Sequence, residues 1–389
     1  YPAFYLMAGL GVYSAEDLYK DLVNKTDFRL LDVRNEDDFI RFQVESPYSF
    51  EMSNVPYIDF IEDEKSTLGK IPKDKPIKIV CAKEGSAKYV GDILSANGFG
   101  DVSYLSGGIK TWGDLLVPVR INPVSDDYSL YQFIRPGKAC LSYGIVNSGQ
   151  MAVLDPSRNI DFYREFARSE NATITQVLET HAHADHLSGG IEICSNSDVE
   201  MLVHKLDFPD SPFNYVTLDH LEKVTLCDFG PEMDVYHTPG HTEGSLTYLI
   251  DGKYLITGDT LFIISAGRPD LGGKVKEWVY DLYKTIIYQY AELPGDASVL
   301  PAHYVTWQET DENLCFSAPL EKLRENNPIF SLTSENEFAQ FIFDNMRDTP
   351  EVYNDIKQVN RGLMNVTMEE ADIMDLGKNE CAASHYDSV

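Results

Sequence analysis

Residues 180–190 read THAHADHLSGG and place three histidines and an aspartate, His181, His183, Asp185 and His186, within six positions. Imidazole nitrogens and carboxylate oxygens are the ligands of zinc, iron and their neighbours, and a tight group of them is what such an ion needs. Further ligands recur downstream in short polar turns: His241 in HTPGHTEGS, Asp259 in TGDTLF and His303 in PAHY. Five of the nine histidines thus fall in one constellation, a recurrence that a histidine-rich surface loop does not explain. His204, His220, His237 and His385 lie outside it and read as packing residues. Pro239 and Gly240 break any helix that would align His237 with His241, so His237 is expected to support the site from behind.

A thiol is the second reactive group. The six cysteines, at 81, 140, 194, 227, 315 and 381, form no C-x-x-C pair, which suits a reduced, cytoplasmic protein. In IKIVCAKEGSAKYVGDIL, Cys81 ends an apolar run and a helix follows from about Ser86. Loop N–H groups and the positive end of a helix favour a thiolate there. A buried strand cysteine fits the same residues equally well. Cys140, Cys194, Cys227 and Cys315 sit in or beside apolar segments and read as core, whereas Cys381, in the polar run GKNECAASHYDSV, is expected to be exposed and to need no role.

These groups need elements to hold them. Ser14 with Asp17 makes a capping-box start for a helix, and apolar strands at 28–33, 77–81 and 102–105 alternate with helical stretches at 86–97 and 108–116. That order implies a small, mostly parallel sheet covered on both faces. Residues 117–127, VPVRINPVSDD, carry two prolines and no period, and read as a linker. Strand-like runs follow at 141–146, 151–154, 174–180, 200–204, 223–227 and 233–237, then a hairpin over 246–259 turning at Asp251-Gly252. Trp278, Val279, Leu282, Ile286, Ile287 and Tyr290 lie on one face of a helix. Two sheets flanked by helices, an αββα domain, are expected, with the metal motif directly after the 174–180 strand. Short helices near Leu320, at 335–346 and at 351–359 precede a polar tail.

Composition narrows the function. The 389 residues, 43% hydrophobic and 24% charged, are enough for two or three globular domains. A net charge of −30 argues against a nucleic-acid partner or an anionic membrane surface. No apolar run approaches the ~20 residues of a membrane span, and residues 1–12 read as neither signal peptide nor anchor. An enzyme of small molecules fits best.

The set THxHxDH, PGHT, GD and PAH resembles the metallo-β-lactamase superfamily over about residues 131–304. In its binuclear members, which look like glyoxalase II thioesterases, the resemblance assigns His181, His183 and His241 to one zinc, Asp185, His186 and His303 to another, and Asp259 to both. The segment TGDTLFIISAGRPDL, residues 257–271, is instead similar to the persulfide dioxygenases, as is 349–362. That branch implies one Fe(II) per chain on His181, His241 and Asp259, a facial triad with positions left for substrate and dioxygen. His183, Asp185, His186 and His303 would then orient ligands and water, or hold a second metal. Arg268, Asp270 and Tyr304 would touch substrate or shape the site.

LLDVRNEDDF and LSGGIKTW, flanking Cys81, resemble the rhodanese domain over about residues 14–117, which implies a catalytic Cys81 and a sulfur-accepting loop containing Lys83, Gly85 and Ser86. Many rhodaneses carry arginines in this loop; here Lys83 and Lys88 supply the positive charge and Glu84 opposes anionic donors.

The expected fold is therefore α/β: a parallel-sheet rhodanese domain over 1–117, a linker over 118–130, an αββα metallo-β-lactamase domain over 131–315, and a helical extension and tail over 316–389. The expected reaction oxidises a low-molecular-weight thiol persulfide with dioxygen to sulfite and thiol, coupled to sulfur transfer between persulfide and thiosulfate. The alternatives are a two-zinc thioesterase and a non-catalytic persulfide sensor or sulfur carrier. Self-association into a homo-oligomer is compatible with either.

Overall fold

The computed structural model describes residues 9–195, 198–269, 275–332, 334–346, 349–379 and 381–382. The chain divides into two compact units: one runs to Leu115 and includes Arg135–Lys138 and Leu376–Lys378, and the other comprises Leu116–Ile134, Ala139–Asp375 and the chain from Asn379.

The first unit is a five-stranded parallel sheet, ordered Gly11–Tyr13, Val102–Leu105, Ile77–Val80, Arg29–Asp32, Glu51–Asn54. The three inner strands are the apolar runs of the sequence, because both their faces are buried against helices. The two edge strands escaped the sequence reading, since EMSN and GVY carry too little apolar character to mark a strand. Ser14 caps the helix Ala15–Val23 through the expected reciprocal bonds with Asp17. The helix after Cys81 starts earlier than expected, at Glu84, and runs to Ala96.

The second unit has the expected two-sheet architecture. One sheet has seven strands in the order Val216–Thr217, Glu200–Val203, Thr173–Leu178, Gln150–Leu154, Cys140–Asn147, Ser129–Arg135, Val117–Arg120. The other has six: Lys223–Thr225, Glu232–His237, Leu246–Ile250, Tyr254–Gly258, Ser298–Pro301, Ala318–Pro319. The helix Ile160–Ser169 covers the first sheet through Tyr163 and Ala167, and Val275–Lys284 covers the second through Val279, Leu282 and Tyr283. Asp251 and Gly252 take φ of 53° and 65°, the left-handed pair at the centre of a tight turn that Lys253 N–H closes by donating to the Ile250 carbonyl at 3.0 Å.

Two expectations change here. The linker begins with a strand, Val117–Arg120, which pairs antiparallel with Ser129–Arg135 and forms the edge of the seven-stranded sheet. An edge position leaves one side of a strand without ladder bonds and so tolerates Pro118, which had argued against a strand. Asn122 then closes the loop, donating to the Tyr128 carbonyl at 2.8 Å and accepting from Leu130 N–H at 2.8 Å. The extension does carry helices, Glu335–Asn345, Val352–Asn360 and Met368–Met374, but of the described residues that follow them Asn379, Cys381 and Ala382 are buried.

Candidate metal centre

The strand Thr173–Leu178 stops two residues before Thr180 because Asp155 captures the loop. Its carboxylate accepts from Thr180 N–H at 2.7 Å and from the Thr180 hydroxyl at 2.9 Å. With its proton committed to Asp155, that hydroxyl accepts from His181 Nδ1 at 3.0 Å, which leaves the lone pair of His181 on Nε2. The same logic sets His241, whose Nδ1 donates to the Arg268 carbonyl at 2.8 Å. The two Nε2 atoms point at one carboxylate: His181 Nε2 lies 3.8 Å and His241 Nε2 3.3 Å from Asp259 Oδ2.

All three side chains are buried, and their Nε2, Oδ1 and Oδ2 atoms have no hydrogen-bond partner among the described residues. Burial, reinforced for His181 by the neighbouring His183, lowers both imidazole pKa values, so the rings are neutral. Burial works against an ionised Asp259, but the charged His303 beside it outweighs burial and holds the carboxyl below the usual range. Neutral imidazole lone pairs and a carboxylate in a dry site are the donor set of a transition metal, so these residues fit one.

His183 leaves this group. Its Nε2 lies 3.1 Å from Asp155 Oδ1 and 3.2 Å from Glu179 Oε2, and against the effect of burial these carboxylates hold it protonated, well above its ordinary pKa. Asp185, His186 and His303 collect instead with Cys140. His186 Nδ1 is 3.0 Å from Asp185 Oδ1, the Cys140 thiol is 3.5 Å from Asp185 Oδ2, and His303 Nε2 lies 3.4 Å from Asp185 and 3.2 Å from Asp259. Burial disfavours a charged His303, yet Asp259 and Asp185 hold it as the imidazolium.

Several residues that build the site carried no sequence signal. Asp207, 3% exposed, accepts from Ala182 N–H at 2.9 Å, the Thr242 hydroxyl at 2.7 Å and Gly244 N–H at 2.8 Å, and so clamps the His181 loop to the His241 loop. Asn360, at the end of the helix Val352–Asn360, donates to the carbonyls of His183 at 2.9 Å and His186 at 2.8 Å and accepts from Ser188 N–H at 2.8 Å. Gly240 takes φ 146° where a Cβ would come within 2.4 Å of Leu282 Cα, so only glycine lets HTPGH lie on the helix Val275–Lys284. A Cβ at Gly267 would come within 1.8 Å of the Asp259 carbonyl, which brings the Arg268 carbonyl close enough to hold His241.

Arg268 is buried and sets the His241 ring through its backbone, while its guanidinium donates to Thr349 Oγ1 at 2.9 Å. Tyr304 stacks on Phe316 at 3.8 Å between ring centroids and shapes the wall behind His303. Asp270 lies outside the described residues. His237 stacks on His204 at 4.4 Å, and its Nε2 lies 2.8 Å from the Glu243 carbonyl, the supporting position expected of it. Cys140 and Cys381 are the departures. The first is a core residue that also faces the ligands, and the second, read from sequence as exposed, is 0% exposed and groups with Asp259 and His303. Burial and the charges of Asp185 and Asp259 push the Cys381 thiol far above its ordinary pKa.

The model of the metallo-β-lactamase superfamily matches residues 135–313, which span all seven candidate ligands. A cytoplasmic hydroxyacylglutathione hydrolase of Arabidopsis thaliana is 30% identical over 196 residues, 46% of this chain and 68% of its own length. The chain belongs to the metallo-β-lactamase superfamily. A hydroxyacylglutathione hydrolase of Prochlorococcus marinus is 26% identical over 227 residues, covering 50% of this chain and 86% of its own. The crystal structure of ETHE1 from Myxococcus xanthus shares the metallo-β-lactamase fold, with a TM-score of 0.52 at 22% identity over 60% of this chain and 97% of that one. A rhodanese-like domain matches residues 14–115, in front of the metallo-β-lactamase domain.

Within the rhodanese-like domain Cys81 follows the strand Ile77–Val80 and precedes the helix Glu84–Ala96 by two residues. It is 4% exposed and packs with Leu31, Val33 and Ile79, so the buried-cysteine and loop-thiol descriptions both apply. Its carbonyl accepts from Ile109 N–H at 2.8 Å. Lys83 and Gly85 are exposed and Ser86 half-buried. Glu84 is satisfied locally, accepting from Gly107 N–H at 2.8 Å and from Lys88 Nζ at 2.6 Å. That pairing commits Lys88 to Glu84, which leaves Lys83 as the cation of the loop.

Proposed function

We propose that this chain is a persulfide dioxygenase carrying a sulfurtransferase domain. The observation that supports it is how the ligands divide: His181, His241 and Asp259 turn ligand atoms to one point, while His183 Nε2 sits in a separate group, 3.1 Å from Asp155 and 3.2 Å from Glu179. A three-residue set of two imidazoles and one carboxylate suits a single Fe(II) with positions open to other ligands. In the balanced reaction a thiol persulfide RSSH, dioxygen and water give RSH and sulfurous acid, which ionises to sulfite.

Iron held by His181, His241 and Asp259 would supply redox chemistry and open coordination positions. The protein residues do the rest. Thr180 and the Arg268 carbonyl fix the tautomers of His181 and His241, so neither ring turns away from the site. Asp259 carries the negative charge, and His303 Nε2, 3.2 Å from it, holds a proton at the edge of the site. Tyr304 and Phe262, both buried beside His303, keep bulk water from that side. In the rhodanese-like domain Cys81 accepts a sulfane sulfur, with Lys83 supplying local positive charge, and returns it to sulfite or to a thiol. The substrates are thus a low-molecular-weight thiol persulfide, dioxygen, and sulfite or thiosulfate. No described helix is long and apolar enough to cross a membrane, and none of the six cysteines is in a disulfide; a cytoplasmic location is part of the proposal.

A second reading has its own support. Cys140, Asp185, His186 and His303 form another buried ligand group beside Asp259, and the relatives above are named hydroxyacylglutathione hydrolases. A two-zinc thioesterase would use both groups. One experiment separates the two: purified protein is given glutathione persulfide in an oxygen electrode and, separately, a glutathione thioester. Dioxygen uptake matched by sulfite, with no thioester cleavage, is the expected outcome; thioester cleavage without dioxygen uptake overturns it.

A further inference from the structure

Asn379, Cys381 and Ala382 pack against the metal centre. Arg268 N–H donates to the Cys381 carbonyl at 3.0 Å, Ala382 pairs with Gly267 as an isolated bridge, and the Asn379 amide donates to the Ala139 carbonyl at 3.0 Å. Asn379 also accepts from Cys381 N–H at 3.2 Å and so fixes the turn that presents the side chain. The two anchors are themselves part of the site. Arg268 holds His241 through its carbonyl, and the Ala139 carbonyl holds His303 Nδ1 at 3.2 Å. Around the tail, Ala184, Leu187, Phe262, Val305 and Ile356 form a dry wall.

The Cys381 sulfur, a ligand oxygen of Asp259 and a ring nitrogen of His303 all lie within 4.8 Å of one another. With bonds of about 2.1 Å to oxygen and 2.3 Å to sulfur, two ligands of one ion sit about 3.6 Å apart in a tetrahedron and about 4.4 Å apart on opposite sides of the ion. The sulfur therefore belongs to the same buried cluster of ligand atoms as Asp259 and lies beside the position of an ion held by it. The thiol does not stand alone, because both Asp259 oxygens are buried and lack hydrogen-bond partners among the described residues.

We propose that Cys381 is a metal ligand delivered by the tail, and that it occupies a position a sulfur substrate must take over. On binding, the S–H bond breaks, a metal–sulfur bond forms, and the proton goes to solvent; no electron moves. A thiol or persulfide arriving as substrate exchanges for it, sulfur for sulfur, and frees the tail. The active site then carries its own competing thiol, which guards a reactive metal while substrate is scarce. This inference rests on the metal half of the function proposed above and is independent of whether the substrate is a persulfide.

The test uses the full chain, stripped of metal and titrated with Co(II), whose spectrum reports thiolate ligation as a charge-transfer band in the near ultraviolet. The wild type should bind one cobalt with this band, and X-ray absorption at the cobalt edge should show one sulfur scatterer at about 2.3 Å. Cys381→Ser should still bind one cobalt but lose both signals, Cys140→Ser and Cys81→Ser should keep them, and added glutathione should restore the band in Cys381→Ser. The edge measurement on the wild type needs no variant, so a misfolded Cys381→Ser leaves the proposal exposed to refutation. Cobalt bound without a sulfur scatterer, or a band that survives in Cys381→Ser, overturns the tail ligand and leaves the metal site standing. Failure of the wild type to bind cobalt, or equal binding by Asp259→Ala, overturns the metal site and the tail ligand together.

Discussion

Asp207→Asn probes the scaffold of the site without touching a proposed ligand. The Asp207 carboxylate accepts three hydrogen bonds, from Ala182 N–H at 2.9 Å, Gly244 N–H at 2.8 Å and the Thr242 hydroxyl at 2.7 Å. An amide keeps one oxygen but turns an NH₂ group toward at least one of these donors. One buried backbone N–H then loses its acceptor, at about 1–3 kcal/mol, and the remaining bonds lose their charge assistance, for a total of roughly 2–5 kcal/mol. In a unit of this size that lowers Tm by roughly 5–15 °C. The His181 and His241 loops are the two parts that Asp207 joins, so metal affinity should fall about 10- to 100-fold, the usual cost of losing a residue that orients ligands. Calorimetry of the metal-free and loaded protein, with a chelator competition, reads both quantities. Wild-type metal affinity together with a Tm change under about 2 °C would refute the role assigned to the clamp.

Three other outcomes follow from the same geometry. His183→Gln should retain one metal per chain, because His183 faces Asp155 and Glu179, whereas Asp259→Ala should lose it; equal loss in elemental analysis would restore His183 to the ligand set. Burial opposes charge on His186, but Asp185 at 3.0 Å prevails and raises its pKa to about 9. Against an unfolded value of about 6.5, His186 stabilises the metal-free protein by ~3 kcal/mol below that pH, and the contribution is lost as pH rises through about 9. A Tm profile between pH 6 and 10 should therefore fall, and His186→Gln should flatten it; an unchanged slope in the variant contradicts the ion pair. Cys81→Ser should abolish sulfur transfer from thiosulfate or persulfide to a thiol while dioxygen uptake persists. Transfer at the wild-type rate would move the chemistry to another thiol.

What the sequence revealed was local. The Ser14–Asp17 capping box, the Asp251-Gly252 turn and the inner apolar strands are each encoded within a few residues, and each appears in the structure. The candidate ligand positions could be picked out because their residue types recur in short, distinctive turns, and the structure gathers them into two neighbouring buried groups and a third around His183. The resemblance had already set His183 apart from His181, His241 and Asp259, but the cause was not legible: His183 lies beside Asp155 and Glu179, and Asp155 lies 28 positions away with nothing in its surroundings to mark it. Asp207 and Asn360 act through backbone groups of distant loops, and such bonds leave no pattern in composition or spacing. Cys381 was misread for the same reason. Its neighbours in sequence are polar, but its burial comes from Gly267, Arg268 and Ala139, all more than a hundred residues earlier. The edge strand Val117–Arg120 was hidden by a proline that only its position in the sheet makes tolerable.

The central claim is that the three-residue group holds a single iron. Elemental analysis of protein purified without added metal, expressed per chain and paired with Mössbauer or Fe(II)-nitrosyl spectroscopy, tests it most directly. The account predicts one iron per chain, lost in Asp259→Ala and substantially retained in His303→Ala. Two zinc ions per chain, lost together in both variants, would contradict it.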